Sequence, residues 1–296
     1  MEANKILLVG GSGYLGLHLQ NALINDGHDV YITGTKKSNK KNYYQIDFDD
    51  EASFQSLTRK SFDMVIVLAS KINSLGTTDL NHPDLKTNTL GYASFLNFLI
   101  KEKTSSKIIY TSSMTVYGTG SSLPVKEEAS LGPIHTYGLS KQVAEQLTSF
   151  FCIQNKVNGV ILRLPGIYGG DRKAGFIYNV IDKCSRNEKI ELKSDGLVFW
   201  ETLNIDDLCN MIVRFLKAYT WQPLIDIYNV GYGEEIDFYE TAYTIRQLLS
   251  SKSEIVEIGS KGYIPFFLSN EKVKKVIAIS ENFRASLNNY LESIKQ

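Results

Sequence analysis

The chain has 296 residues, 43% of them hydrophobic and 22% charged, which is the make-up of an ordinary globular protein and excludes a disordered one. Lysine plus arginine equals aspartate plus glutamate at 32 each, so no global charge draws the chain to nucleic acid or to an anionic membrane. Three scattered cysteines (Cys152, Cys184, Cys209) and four histidines without ligand spacing offer neither a disulfide framework nor a metal site, and none is expected.

The first apolar run, Lys5–Val9, starts without a preceding cationic region or cleavage site. No uncharged apolar run approaches the ~18 residues that cross a bilayer, and a cytoplasmic location is expected. Further strands are predicted at Val30–Thr33, Tyr43–Ile46, Met64–Leu68, Lys107–Thr111 and Gly159–Leu164, most of them apolar nearly throughout, as strands buried on both faces should be. Leu15, Leu19, Ala22 and Leu23 recur at helical spacing between the first two strands, and Asn25-Asp26-Gly27 ends that helix. Strands alternating with helices predict a parallel, doubly wound α/β sheet. After Pro165 the rhythm changes. Residues 1–168 are read as the main domain, with the sheet completed by returns near Thr202–Asp207 and Asp226–Val230; residues 169–296 are read as mainly a second, smaller lobe.

Directly after the first strand stands Gly10-Gly11-Ser12-Gly13-Tyr14-Leu15-Gly16. Glycines at 10, 13 and 16 allow a sharp turn, backbone approach to a pyrophosphate, and close helix–strand packing, while the helix N-terminus offers its N–H groups to phosphate. In a strand–turn–helix context this predicts a dinucleotide site formed by Gly10, Gly13, Tyr14, Leu15 and Gly16. NAD sites place an acid at the end of the second strand for the ribose 2′-hydroxyl. Here the sequence is Thr33-Gly34-Thr35-Lys36-Lys37, without an acid, so NADP is favoured, through Thr35, Lys36 and Lys37, with NAD the second choice. A solvated basic loop is the plain alternative for these lysines. Asp47 and Phe48, after the third strand, are assigned to the adenine amino group and ring face.

Thr111-Ser112-Ser113-Met114-Thr115-Val116-Tyr117-Gly118 ends the fifth strand, and Tyr137-Gly138-Leu139-Ser140-Lys141 opens a helix whose apolar stripe is read as Val143, Leu147 and Phe151. Spacing of four puts Tyr137 and Lys141 one turn apart on one face. A phenol near pKa 10 exchanges protons poorly at neutral pH, and a neighbouring ammonium group lowers that value; a serine hydroxyl can hold the substrate oxygen. Ser113, Tyr137 and Lys141 are therefore the candidate catalytic residues.

With these motifs the chain resembles the extended short-chain dehydrogenases/reductases of the NAD-dependent epimerase/dehydratase family. The resemblance also runs through Asp63–Ser70, Asn88, Leu162–Gly170, Leu203–Leu208 and Tyr228–Gly231. It implies a Rossmann-type domain with a C-terminal substrate-binding lobe. Leu68, Ala69 and Ser70 would run under the cofactor, Leu164 and Pro165 would lie beside the nicotinamide, Lys141 would also bond the nicotinamide ribose, and Asn88 would be a structural or relay residue. It further implies a nucleotide-linked sugar as substrate and a homodimer through the helix of Tyr137, to which Tyr92, Phe150 and Phe151 could contribute; core packing explains those three equally well.

Family dehydratases carry Asp-Glu just after the catalytic serine or threonine. Met114 and Thr115 stand there, so dehydration is not expected, and the cysteine of the GDP-fucose synthases is absent too. The leading expectation is NADPH-dependent reduction of a 4-keto-6-deoxy nucleotide sugar, with Ser113, Met114 and Thr115 facing it. A nucleotide-sugar epimerase and a non-catalytic NADP-binding redox sensor are the alternatives. Trp200, where many relatives carry arginine, either stacks on the base or packs the lobe. Arg172 and Lys173 either meet the diphosphate or form a solvated loop.

Overall fold

In the computed structural model, residues 3–73, 76–118, 121–193, 201–258 and 266–294 are described. The chain divides into two compact units: one of residues 1–121, 128–164 and 212–228, the other of 122–127, 165–211 and 229–296.

The first unit is built on a seven-stranded sheet. Its strands are β1 (Lys5–Val9), β2 (Asp29–Gly34), β3 (Tyr43–Gln45), β4 (Met64–Val67), β5 (Lys107–Ser113), β6 (Gly159–Leu164) and β10 (Ile225–Asn229), in the spatial order β10-β6-β5-β4-β1-β2-β3. The pairings from β3 through β6 are parallel. The order reverses between β1 and β4, the switch point where doubly wound sheets bind ligands outside the carboxyl ends of their strands. The apolar runs behave as their composition demands: β4 is buried at every residue, and so is β6.

Helices α1 (Tyr14–Asn25), α2 (Pro83–Lys86), α3 (Tyr92–Lys101) and α4 (Thr136–Asn155) belong to this unit. Helix α1 ends as its sequence requires, with Gly27 at φ +91° after the cap at Asp26. A π-helical turn, Thr87–Gly91, joins α2 to α3. Tyr92, Phe95 and Leu99 of α3 pack into the same apolar cluster as Val65, Val67 and Tyr110. On α4 the predicted apolar stripe is found in part: Phe151 lies in the core cluster and Leu147 packs against it. Val143 and Leu147 are only half-buried, whereas the buried face is Ser140, Lys141, Ala144, Glu145, Thr148, Phe151 and Cys152. This polar face is buried because each of those polar side chains finds a partner within the unit.

The second unit holds two small parallel pairs, β7 (Gly166–Tyr168) with β9 (Thr202–Asn204), and β8 (Ile190–Lys193) with β11 (Ile255–Ile258). Around them lie α5 (Phe176–Ser185), α7 (Phe238–Leu248) and α8 (Phe283–Ser293), and α6 (Ile205–Ala218) runs on from β9. The expected return of Thr202–Asp207 to the main sheet does not occur. Only Thr202–Asn204 is extended, and it pairs with β7; Asn204 Oδ1 then accepts from Asp206 N at 2.8 Å, which starts α6 and its acidic first turn. The second expected return is found, as β10 beside β6. Phe176 and Phe238 stack α5 against α7 with ring centroids 4.0 Å apart.

Candidate functional site

At the carboxyl ends of β1, β2 and β4 the first unit has a groove of about 370 Å³. The glycine loop forms one wall with Gly10, Gly13, Tyr14, Leu15 and Gly16, and Thr35 closes the end beside β2. Two glycines here are steric necessities. Gly10 has φ +84° and a Cβ there would sit 2.7 Å from Ala69 Cα; a Cβ at Gly16 would sit 2.5 Å from Gly11 Cα. Gly13 is the N-cap of α1 and no side chain caps that terminus, which leaves the helix end available to an anion. These features fit a dinucleotide.

Leu68, Ala69, Ser70 and Asp47 also line the groove, Ala69 directly against Gly10. Phe48 also lines the groove; its ring packs on Tyr92 and Phe95 at 5.8 and 5.4 Å and is largely buried. Lys36 and Lys37 stand exposed just beyond Thr35, and their segment is tied down: Gln45 Nε2 donates to Thr35 O at 3.1 Å and Tyr43 Oη donates to Lys36 O. Lys71, which also lines the groove, pairs with Asp49, and Thr87 Oγ1 donates to Asp49 at 2.7 Å. Asn88 fixes the wall itself: it accepts from Lys71 N at 2.8 Å and donates to Lys71 O at 2.9 Å and to Ser140 Oγ at 3.1 Å.

The three candidate catalytic side chains are on the same unit as the groove. Ser113 ends β5, opposite Leu164 in the β5–β6 register, and Pro165 follows Leu164 directly. Tyr137 and Lys141 lie one turn apart on α4. Lys141 is buried; its Nζ donates to Thr111 O at 2.9 Å and sits 4.8 Å from the Tyr110 ring centroid and 5.9 Å from that of Tyr137. Burial pulls Lys141 down to about 7, against the opposing pull of Glu145. Burial pushes the Tyr137 phenol up to about 12, and the nearby Ser70 hydroxyl works the other way. Ser70 Oγ is itself buried without a hydrogen bond of good geometry. The site as it stands therefore keeps the proton on Tyr137.

Met114 is largely buried in the turn after β5. Thr115 is half-buried and turns its hydroxyl to Ser113 at 3.0 Å. Arg172 and Lys173 are exposed in the turn between β7 and α5. Trp200 lies outside the described residues.

Several supporting residues escaped the reading of the sequence. Gly138 lets α4 approach the turn after β5: a Cβ there would lie 2.2 Å from Thr115 O. Arg163, inside an otherwise apolar strand, is bidentate to Glu145 at 2.9 and 2.7 Å and donates to Tyr117 Oη at 2.8 Å. The signal was present: a charge in a buried strand demands a buried partner, and Glu145 is four residues from Lys141 on the inward face of α4.

In the second unit, Phe176, Asn179, Val180, Ile190, Leu192 and Phe238 line a separate pocket of about 290 Å³.

Comparison with known proteins agrees with this architecture. A putative UDP-glucose 4-epimerase of Methanocaldococcus jannaschii is 28% identical over 265 residues, covering 85% of this chain and 84% of that protein. A dTDP-4-dehydro-6-deoxyglucose reductase of Escherichia coli is 26% identical over 275 residues, covering 86% and 85%. The structure of RMD from Pseudomonas aeruginosa complexed with NADPH superposes with a TM-score of 0.82 at 22% identity, over 97% of this chain and 98% of that one. The model of the NAD dependent epimerase/dehydratase family matches residues 6–231, and the chain belongs to that family.

Proposed function

We propose that the protein reduces the 4-keto group of a nucleotide-linked 6-deoxy sugar with NADPH. The observation that carries this reading is the arrangement of Tyr137 and Lys141 on one face of α4, on the same unit as a glycine-walled groove whose β2 end bears Thr35, Lys36 and Lys37 and no acid.

Gly10, Gly13 and Gly16 would leave room for the pyrophosphate, the N-terminus of α1 would face it, and Asp47 would accept from the adenine amino group. Lys36 and Lys37 suit a 2′-phosphate, which a carboxylate at that place would repel. A bound dihydronicotinamide supplies a hydride. Ser113 donates a hydrogen bond to the ketone oxygen and holds the carbonyl in place. Tyr137, which burial keeps protonated, gives its proton to the oxygen as negative charge develops there. Lys141 stabilises the phenolate left behind, its ammonium oriented by Thr111 O. The proton-loaded phenol suits the reductive direction. The pocket between α5, β8 and α7, which mixes Phe176, Val180, Leu192 and Phe238 with the polar Asn179, Asp182, Lys183 and Glu191, suits the base of the nucleotide.

A second reading, 4-epimerisation, draws on the likeness to the putative epimerase of M. jannaschii. Product analysis separates the two. A reductase consumes one NADPH for each sugar converted, whereas an epimerase interconverts 4-hydroxyl isomers with no net consumption.

We further infer a homodimer. Tyr92 and Phe151 belong to the core, but Phe150 and Ile153 of α4 and Leu90 before α3 are more than half exposed.

A further inference from the structure

Ser113 accepts two hydrogen bonds from a single residue. Thr115 N donates to its Oγ at 3.2 Å and Thr115 Oγ1 donates to it at 3.0 Å. A serine hydroxyl has two lone pairs and one hydrogen. With both lone pairs engaged on the Thr115 side, what remains is the hydrogen, and it must point away from Thr115.

We propose that Thr115 is a positioning residue that makes Ser113 an obligate donor. The inference rests on the reading that Ser113 holds the substrate oxygen. That oxygen gains negative charge during reduction, so it needs a donor throughout. A freely rotating hydroxyl spends part of its time presenting a lone pair instead, and must be reoriented on the way to the transition state. Thr115 removes that freedom beforehand. Its hydrogen is committed to Ser113, so the residue acts through Ser113 rather than on the sugar.

The turn that carries Thr115 is itself held. Ser113 caps Met114–Val116, and the carbonyl of Thr115 meets Gly138 of α4, where even a methyl group would collide at 2.2 Å. The hydroxyl pair is thereby fixed to the helix that bears Tyr137 and Lys141.

The test is a double-mutant cycle on the full-length protein with NADPH and 4-keto-6-deoxy nucleotide sugars. Thr115→Val keeps the backbone N–H and the shape but frees one lone pair; kcat should fall about tenfold with KM within about twofold, and Thr115→Ser should restore kcat to within about twofold. In a Ser113→Ala background, adding Thr115→Val should change kcat by less than about twofold. A loss of full size in that background, or no rescue by serine, overturns the proposal.

Neutron diffraction from deuterium-exchanged crystals gives a readout that needs no turnover. Deuterium on Thr115 Oγ1 directed at Ser113, and deuterium on Ser113 directed away from Thr115, is expected. Deuterium on Ser113 directed at Thr115 overturns the proposal. If the wild type oxidises no NADPH with any of these sugars, the reductase reading falls while the neutron map still decides the hydrogen-bond assignment.

Discussion

Gly138 and Thr115 meet so closely that the Cα of one occupies space beside the carbonyl oxygen of the other that no side chain can enter: a Cβ at 138 would lie 2.2 Å from Thr115 O. The glycine that follows the candidate proton donor thus sets how near α4 comes to the end of β5. Gly138→Ala must push the helix or the turn away, because the obstructing atom is backbone. A displacement near 1 Å at a reacting centre costs about a hundredfold in rate, and overpacking costs about 1–3 kcal/mol. Steady-state kinetics and urea denaturation of Gly138→Ala should show both losses.

The pair Arg163–Glu145 is buried on both sides, at 2% and 4% exposure. Removing one partner strands the other's charge, which costs about 3–5 kcal/mol. Arg163→Met should therefore be severely destabilised in urea denaturation. Arg163→Met with Glu145→Leu, which removes both charges, should recover much of that loss.

Glu201 gives a pH dependence with a definite sign. Its Oε2 accepts from Leu268 N at 2.8 Å, while Oε1 is buried without a partner. Burial pushes this carboxyl up from 4.5 to about 8. The folded state therefore binds the proton more tightly than the unfolded chain does. The stability this group contributes is complete below about 4.5 and is lost as the pH rises through about 8. Glu201→Gln stays neutral at all pH values. It should flatten the profile and, at pH above that range, be more stable than the wild type by on the order of 5 kcal/mol. Urea melts on either side of neutrality check this; an unchanged slope with pH would assign the dependence to other groups.

Cofactor choice is tested at the end of β2. Lys36→Ala with Lys37→Ala should weaken NADPH binding about tenfold or more and leave NADH binding nearly unchanged, as fluorescence titration with each cofactor would measure. Equal weakening of both would mean that these lysines serve the loop rather than a 2′-phosphate.

Much of this architecture was legible because its signals are local. Runs such as Lys5–Val9 and Met64–Val67 are apolar at nearly every position, which only a strand covered on both faces requires. The glycine loop declares itself because Gly10 and Gly16 have no room for a Cβ. The tyrosine–lysine spacing follows from the helical repeat. Other features depend on distant partners and left no local pattern. Thr202–Asn204 is too short a strand to reveal its neighbour, so its pairing with β7 was misassigned to the main sheet. The stripe of Leu147 and Phe151 on α4 could be read from spacing, but the burial of Lys141, Glu145 and Thr148 could not, since it depends on distant partners at Thr111, Arg163 and Tyr92. The role of Thr115 depends on where one hydroxyl points, which no spacing rule encodes.

The central claim is that Tyr137 gives a proton to a ketone as NADPH is consumed. The most direct measurement is NADPH absorbance over time with the purified protein and a panel of 4-keto-6-deoxy nucleotide sugars, alongside Tyr137→Phe. Loss of absorbance with one nucleotide class in the wild type, abolished in Tyr137→Phe while NADPH still binds, is the predicted result. Full activity in Tyr137→Phe, or no consumption with any of these sugars despite tight NADPH binding, would contradict it.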